Sequence, residues 1–297
     1  MISIIIPTYN RADMLARILP TYLETQAVGE IIIVDDGSSD QTASVVEEFS
    51  SRDSRIRFLR HPRNLGRTTA RNHAIEQAKG DLILNSEDDL ALSPGSLETL
   101  HEHMLKTGAD MIAGRRIWMR FGETEADALA RANSRNRPVI NRRMLDTDSH
   151  AITPTDIEVP LVNATMLVRR EVFEKVHFQD CYAGNGWRED SDVQIGALEL
   201  GYKIFFCPHS VFYHYDRAKA GLGNRRLKSV ISYLYWIYRN NLTFLERHQD
   251  YLRKNIPESL FLGSPRLSAL AYVVRRSAWL VRTEIRRIVQ SRNQSRD

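Results

Sequence analysis

Three short runs of aliphatic residues set the frame of this chain: Ile2-Ser3-Ile4-Ile5-Ile6, Glu30-Ile31-Ile32-Ile33-Val34 and Leu82-Ile83-Leu84. Each ends in a polar turn, and each reads as a strand buried on both faces of a parallel sheet. Between them lie helical patterns from about Asp13 to Thr25 and from Ser39 or Asp40 to about Ser50. A further strand, Arg55 to Arg60, and a helix opening at Asn64-Leu65-Gly66 and ending near Lys79 follow. Pro7 is expected to close the first strand. Strands and helices alternating at this spacing predict an α/β fold, a doubly wound, mostly parallel, Rossmann-like sheet. In such sheets ligands bind outside the carboxyl ends of the strands.

The third run ends in Asn85-Ser86-Glu87-Asp88-Asp89, which stacks three carboxylates at that edge. Crowded carboxylates repel one another unless something positive sits among them, and a hard divalent cation with oxygen ligands is the usual answer. The competing reading is an acidic turn capping a helix that starts near Ser93-Pro94.

Past Ser96 a helix to about Lys106 and a strand near residues 110–113 precede a charged, irregular region, 115–158. That region is too long for a plain loop and is expected to hold an insertion, lid or acceptor-binding segment. The core resumes with a strand over 162–168 and a short helix over 170–176. A glycine-rich loop, Ala183-Gly184-Asn185-Gly186-Trp187, leads to a helix from Glu189 to about Leu200. Residues 203–207 and 210–215 read as two more strands. Beyond Gly221 the pattern is wholly helical, in two basic segments split by Pro257 and Gly263-Ser264-Pro265. The expected domains are therefore 1–215, catalytic, and 216–297, a basic helical extension.

The formal net charge of +4 hides an asymmetry: residues 216–297 carry 17 Lys and Arg against 6 Asp and Glu, whereas residues 1–215 carry 24 against 31. A basic tail fits an anionic partner, a membrane surface or a nucleic acid, or is simply a solvated face. Two cysteines, Cys181 and Cys207, are too few for a disulfide framework; Cys207 reads as a packed thiol, and a reducing compartment is expected. With no secretory leader and no apolar run long enough to span a bilayer, the expected location is cytoplasmic.

Taken together, several stretches in order resemble the family-2 inverting glycosyltransferases of the GT-A fold, over roughly residues 1–215. They are Pro7-Thr8-Tyr9-Asn10, Val34-Asp35-Asp36-Gly37-Ser38, Asn64 to Gly66 with Ala70-Arg71-Asn72, Gly80-Asp81 leading to Asp88-Asp89, and Glu189-Asp190 followed by a strand ending at His214. The resemblance implies a nucleotide-sugar donor, UDP- or dTDP-linked, and a saccharide or lipid-linked saccharide acceptor. It implies that Pro7, Thr8, Asn10, Asp36 and Arg71 line the nucleotide half of the crevice, with Asp36 accepting from a base N–H and Arg71 balancing diphosphate charge. Glu87 or Asp88 then reaches the donor sugar, and Asp89, with His214, holds Mn2+ or Mg2+. Asp190, in the first turn of a helix whose dipole favours a carboxylate, is the expected base. Trp187 either stacks on a substrate or anchors the core.

Two other classes compete. A nucleotidyltransferase would need a glycine-rich, basic triphosphate loop after the first strand, which Thr8-Tyr9-Asn10-Arg11 does not supply. A non-catalytic glycan-binding protein at a membrane surface is disfavoured by intact Asp88, Asp89 and Asp190. In the tail, Leu267 to Val289 has a basic face, an apolar face and Trp279, the composition of an interfacial helix on an anionic membrane. Homodimerisation through the same stripe is the alternative, and no nucleic-acid partner is expected.

Overall fold

A computed structural model of the chain describes residues 1–134, 137–215 and 227–278, with side chains from 230 onward in the last stretch. The elements in order are β1 (Ile2–Thr8), α1 (Ala12–Leu23), β2 (Val28–Asp35), α2 (Thr42–Arg52), β3 (Ile56–Arg60), α3 (Arg67–Gln77), β4 (Leu82–Asn85), β5 (Leu90–Leu92), α4 (Ser96–Thr107) and β6 (Met111–Met119). There follow α5 (Glu125–Asn133), the strand pair β7 (Ile140–Asn141) and β8 (Asp146–Thr147), β9 (Ile157–Glu158), β10 (Met166–Arg169), α6 (Arg170–Phe173), α7 (Glu189–Glu199) and β11 (Ile204–Tyr215). The C-terminal helices are α8 (Leu227–Arg247), α9 (Gln249–Asn255), a 3-10 turn (Pro257–Leu260) and a helix over 265–278.

The chain divides into two compact units: residues 1–141, 145–180 and 189–216 form the first, and residues 142–144, 181–188 and 217–297 the second. The division does not follow a single cut in the sequence, because two short segments from the middle of the chain group with the C-terminal helices.

The first unit is built on a nine-stranded mixed sheet in the order β3-β2-β1-β4-β10-β6-β11-β5, with β9 pairing β11. The first four strands are mutually parallel, as the βα alternation predicts. Period two sorts their side chains: Ile4, Ile6, Ile31, Ile33 and Leu84 join Leu15, Ile18 and Tyr22 of α1 on one face. Ile5, Ile32, Val34 and Ile83 meet Ala70, Ala74 and Ile75 of α3 on the other. Burying each such aliphatic side chain contributes about 1.5–3 kcal/mol, so a strand apolar on both faces is fixed in register.

The structure differs from expectation in four places. β1 runs through Pro7 to Thr8, and Pro7 lies opposite Val34 of β2. The pairing of β1 with β4 stops at Ile5 and Asn85, so the missing proline N–H has no ladder partner to lose. The acidic turn after β4 leads into β5, antiparallel to β11, so the helix begins at Ser96 and the acidic stretch does not cap it. The two strands expected over 203–215 are one, β11, with a shift in register between Phe206 and Val211 where Pro208 interrupts the ladder. Finally, β6 extends to Met119, and the irregular region that follows holds α5, β7, β8 and β9.

In the second unit, α8 buries Ile237, Asn240, Asn241, Phe244 and Leu245. Segment 181–188 is tied down by these helices. Asn240 Nδ2 donates to the Ala183 carbonyl at 2.9 Å. Arg188 donates to Asn241 Oδ1 at 2.9 Å and lies over the Phe244 and Tyr272 rings. Trp187 packs against Tyr272 and under Arg276, which favours the anchoring role over a mobile aromatic tip. Gly184 is required: it has φ +70, and a Cβ there would sit 2.4 Å from the Trp236 ring. No helix among the described residues is long and apolar enough to cross a membrane. Residues 279–297, which include Trp279 and the end of the expected interfacial helix, lie outside the described residues.

Candidate active site

The carboxyl ends of β1, β2 and β4, the start of α7 and the end of β11 carry the expected residues. Thr8 ends β1 and is buried. Asn10 follows with φ +53, a left-handed conformation that asparagine tolerates. Its amide donates to Ser38 Oγ at 2.8 Å, and its Oδ1 accepts from the Ser39 amide at 2.8 Å. Asn10 thus ties the loop after β1 to the turn after β2. That turn needs Gly37, at φ +76, because a Cβ would sit 2.5 Å from the backbone of Arg63.

Asp36, also buried, receives the Leu65 amide at 2.9 Å and the Gly66 amide at 2.8 Å. Its Oδ1 is also 2.7 Å from His61 Nδ1, and His61 Nε2 in turn lies 3.0 Å from His73 Nδ1. The carboxylate therefore fixes the loop over residues 61–66 that leads into α3, a role not anticipated from the sequence.

The acidic turn is interleaved with arginines. Glu87 pairs with Arg116 at 2.5 Å, and Asp89 with Arg11 at 3.2 Å. Asp88 lies 3.6 Å from Arg11. His214 Nε2 is 3.1 Å from Asp89 Oδ1 and 3.9 Å from Glu87 Oε2. This meeting depends on β5: Leu90 pairs with His214, and the Tyr215 amide donates to the Asp89 carbonyl at 2.8 Å. Trp118, 41% exposed on β6, packs against the His214 ring with centroids 3.9 Å apart and the ring planes tilted by 39°.

Burial pushes the Asp88 carboxyl up to about 6, and the neighbouring Asp89 adds to the rise while Arg11 opposes it. Glu87 goes the other way. Burial alone would raise it, but Arg116, His214 and Arg71 together hold it well below the usual carboxylate range.

Arg71 lies among carboxylates. Its side chain is fully enclosed, 2.5 Å from Glu189 and 3.0 Å from Asp190, with Glu87 3.9 Å away. An arginine enclosed among three carboxylates balances their charge. Arg67, one helical turn earlier and 46% exposed at its side chain, pairs with Glu189 at 2.7 Å from the open side. Glu189 is 2% exposed, and burial pushes its carboxyl up against the pull of Arg71 and Arg67. Asp190 keeps 27% of its side chain exposed in the first turn of α7.

Glu87, Asp89 and His214 each offer a ligand atom within 4.8 Å of the others. Two carboxylates and an imidazole whose Nε2 faces them are a donor set suited to Mn2+ or Mg2+, so the residues fit a divalent cation. Arg11, Arg67, Arg116, His61 and Trp118 belong to the site but were not legible in the sequence. Arg11 alone had a signal, its place directly after Pro7-Thr8-Tyr9-Asn10.

Comparison with known proteins agrees with this geometry. The model of the family described as glycosyl transferase family 2 matches residues 3–176. The glycosyltransferase GlyG of Streptococcus pneumoniae is 26% identical over 231 residues, covering 73% of this chain and 71% of that protein. A Campylobacter jejuni GalNAc(5)-diNAcBac-PP-undecaprenol beta-1,3-glucosyltransferase is 36% identical over 101 residues, a third of each chain. Among solved structures, the mannosyltransferase PcManGT of Pyrobaculum calidifontis, in complex with GDP-Man and Mn2+, aligns with a TM-score of 0.58 at 17% identity. That alignment covers 98% of this chain and 75% of that one, a likeness of fold. The family model spans more than half of the chain, including the parallel strands and the acidic turn after β4, and this chain therefore belongs to glycosyl transferase family 2.

Proposed function

We propose that the chain transfers a sugar from a nucleoside diphosphate donor, uridine- or thymidine-linked, to a hydroxyl of a saccharide or lipid-linked saccharide, with inversion at the anomeric carbon and with the aid of Mn2+ or Mg2+. The observation that carries this reading is the convergence of Glu87, Asp89 and His214, linked through Arg71 to the partly exposed Asp190, at the sheet edge where α/β proteins bind ligands.

In this reading Asp36 and the loop it fixes form the base-side wall, and its Oδ2 holds the Gly66 amide with lone-pair capacity left for a base N–H. Pro7, Thr8 and Asn10 shape the floor. Arg67, 46% exposed at its side chain, and Arg11, beside Asp88 and Asp89, take the diphosphate-facing role first expected of Arg71. Asp89 and His214, joined by Glu87, would hold the cation, which when bound neutralises charge developing on the departing diphosphate. Asp88, with its raised carboxyl, faces the donor sugar. Asp190 removes the proton from the acceptor hydroxyl as that oxygen attacks the anomeric carbon. Arg71, 3.0 Å away, orients it, and one base with direct attack inverts the centre. The basic tail supports a peripheral site of action at the inner face of a membrane: Leu267, Leu270 and Val274 leave an apolar stripe exposed on the helix over 265–278. A second copy of the chain on that stripe is the other occupant.

The test is donor hydrolysis and transfer by the full chain with a panel of UDP-, dTDP- and GDP-sugars, with Mn2+ and then with chelator. Release of nucleoside diphosphate that stops on chelation, and a product of opposite anomeric configuration by NMR, are the expected results. Full turnover in exhaustively chelated protein, or a retained configuration, would overturn the corresponding part of the reading.

A further inference from the structure

A second cluster of metal-ligating side chains lies at the other end of β11, away from the acidic turn. Cys207 is seven residues before His214, roughly 20 Å along a strand at about 3.3 Å per residue. β9 runs antiparallel to β11 with Phe205 opposite Glu158 and Phe206 opposite Ile157, so the same register brings Asp156 opposite Cys207. His103, on the last turns of α4, reaches the same point: its Nδ1 is 2.6 Å from Asp156 Oδ2. The Cys207 sulfur, an Asp156 oxygen and a His103 ring nitrogen all lie within 4.8 Å of one another.

Three features separate this cluster from an ordinary histidine–aspartate pair. Cys207 is fully buried at the margin of the apolar core, and its sulfur also comes close to two polar side chains. Asp156 Oδ1 is buried with no hydrogen-bond partner, a cost of about 1–3 kcal/mol that a bound cation would relieve. The His209 ring packs 5.0 Å from that of His103 between centroids, outside the set of atoms within 4.8 Å, so a fourth donor comes from its movement or from water. One sulfur, one imidazole nitrogen and one carboxylate oxygen from three separate elements are the ligands of a tetrahedral zinc site, in which metal–ligand bonds of about 2.0–2.3 Å draw such atoms together.

The geometry points to a zinc-binding site formed by His103, Asp156 and Cys207, with His209 or a water in the fourth position, that staples α4 and the β9 edge to β11. Binding releases the Cys207 thiol proton to solvent as the sulfur–metal bond forms. His103 ligates through Nδ1 as the neutral tautomer with its single proton on Nε2, and Asp156 stays ionised as a ligand. The donor set selects against the ions favoured at the acidic turn: thiolate suits zinc, whereas Mn2+ and Mg2+ favour oxygen. The site is independent of the proposed sugar transfer.

The test uses cobalt as the spectroscopic probe in the full chain carrying C181S, in which Cys207 is the sole cysteine. After removal of metals with chelator, added Co2+ should give a sulfur-to-cobalt charge-transfer band that an equimolar amount of Zn2+ abolishes. The acidic turn cannot produce that band, since it holds no sulfur. H103Q, at a partly exposed helix position, should weaken zinc binding by at least about a hundredfold, because loss of an outer-shell partner alone costs 10–100-fold. Zinc should raise the melting temperature of the C181S chain and not that of H103Q. Absence of the charge-transfer band, a readout that needs no ligand variant to fold, would overturn the proposal. Equal zinc affinity in H103Q and its parent would do the same, leaving a buried thiol beside a histidine–aspartate pair.

Discussion

The two ends of β11 carry clusters that look alike in residue count and differ in chemistry. At its carboxyl end, His214 meets Asp89 and Glu87 among Arg11, Arg71 and Arg116, beside an aspartate, Asp190, that remains partly exposed. Near its start, Cys207 meets Asp156 and His103 where three elements join. The first set is hard and charged, and Asp190 keeps 27% of its side chain exposed. The second is softer. Each set has two partly buried members and one buried member, so burial does not separate them. What the contrast teaches is that two clusters on one strand, alike in burial, suit different ions through donor type and neighbouring charge.

The sharpest break in the comparison comes from Asp89→Asn. If the carboxyl-end cluster holds the cation, this change should lower kcat by about four orders of magnitude or more, the loss of several kcal/mol of transition-state stabilisation, and chelation of the wild type should match it. Steady-state donor turnover reads it directly. Asp190→Asn should come next, with kcat down about 10²–10⁴-fold while donor binding by calorimetry is kept; a near wild-type rate would move attention to Glu189 or Asp192.

Arg71→Ala tests whether that arginine is a counter-ion or a donor ligand. Removing one partner of a buried cluster costs about 3–5 kcal/mol, so the variant should unfold at markedly lower denaturant and lose kcat along with stability. A folded, equally stable variant with only a raised donor KM would restore the nucleotide-facing role. At the opposite end, His103→Gln should leave kcat unchanged and forfeit the stabilisation that zinc gives, about 2.7 kcal/mol at a hundredfold excess over the dissociation constant. Melting curves with and without zinc measure it.

The smallest effect concerns pH. The Asp88 carboxyl, raised to about 6 in the folded chain, binds its proton more tightly folded than unfolded. Stability of the chelated protein should therefore fall as pH rises from about 4 through 6, and the cost should be fully present above that. Asp88→Asn should remove it, a gain of about 2–3 kcal/mol at pH 7.5 that vanishes below pH 4. Urea melts across this range would show a constant difference if the carboxyl is not strained by its burial.

The parallel half of the sheet was legible because its signal is local. Ile4 and Ile5 point to opposite faces by period two, and both faces are buried, so the run announces itself without reference to any other part of the chain. The acidic turn was legible as a crowding of charge, although the sequence could not say what neutralises it. The structure supplies Arg11 and Arg116, the latter from a strand far along the chain, together with any cation.

The sequence by itself determined the βα alternation, the edge at which the chemistry gathers and the membership of a family, because each depends on short-range patterning in residues near one another. Only the tertiary structure decided that Arg71 is sealed among carboxylates, that β5 swings Asp89 against His214, and that β9 lays Asp156 opposite Cys207. Those pairings join residues from about 50 to more than 120 positions apart through strand register and helix packing, and such long-range closure leaves no periodic mark in the chain.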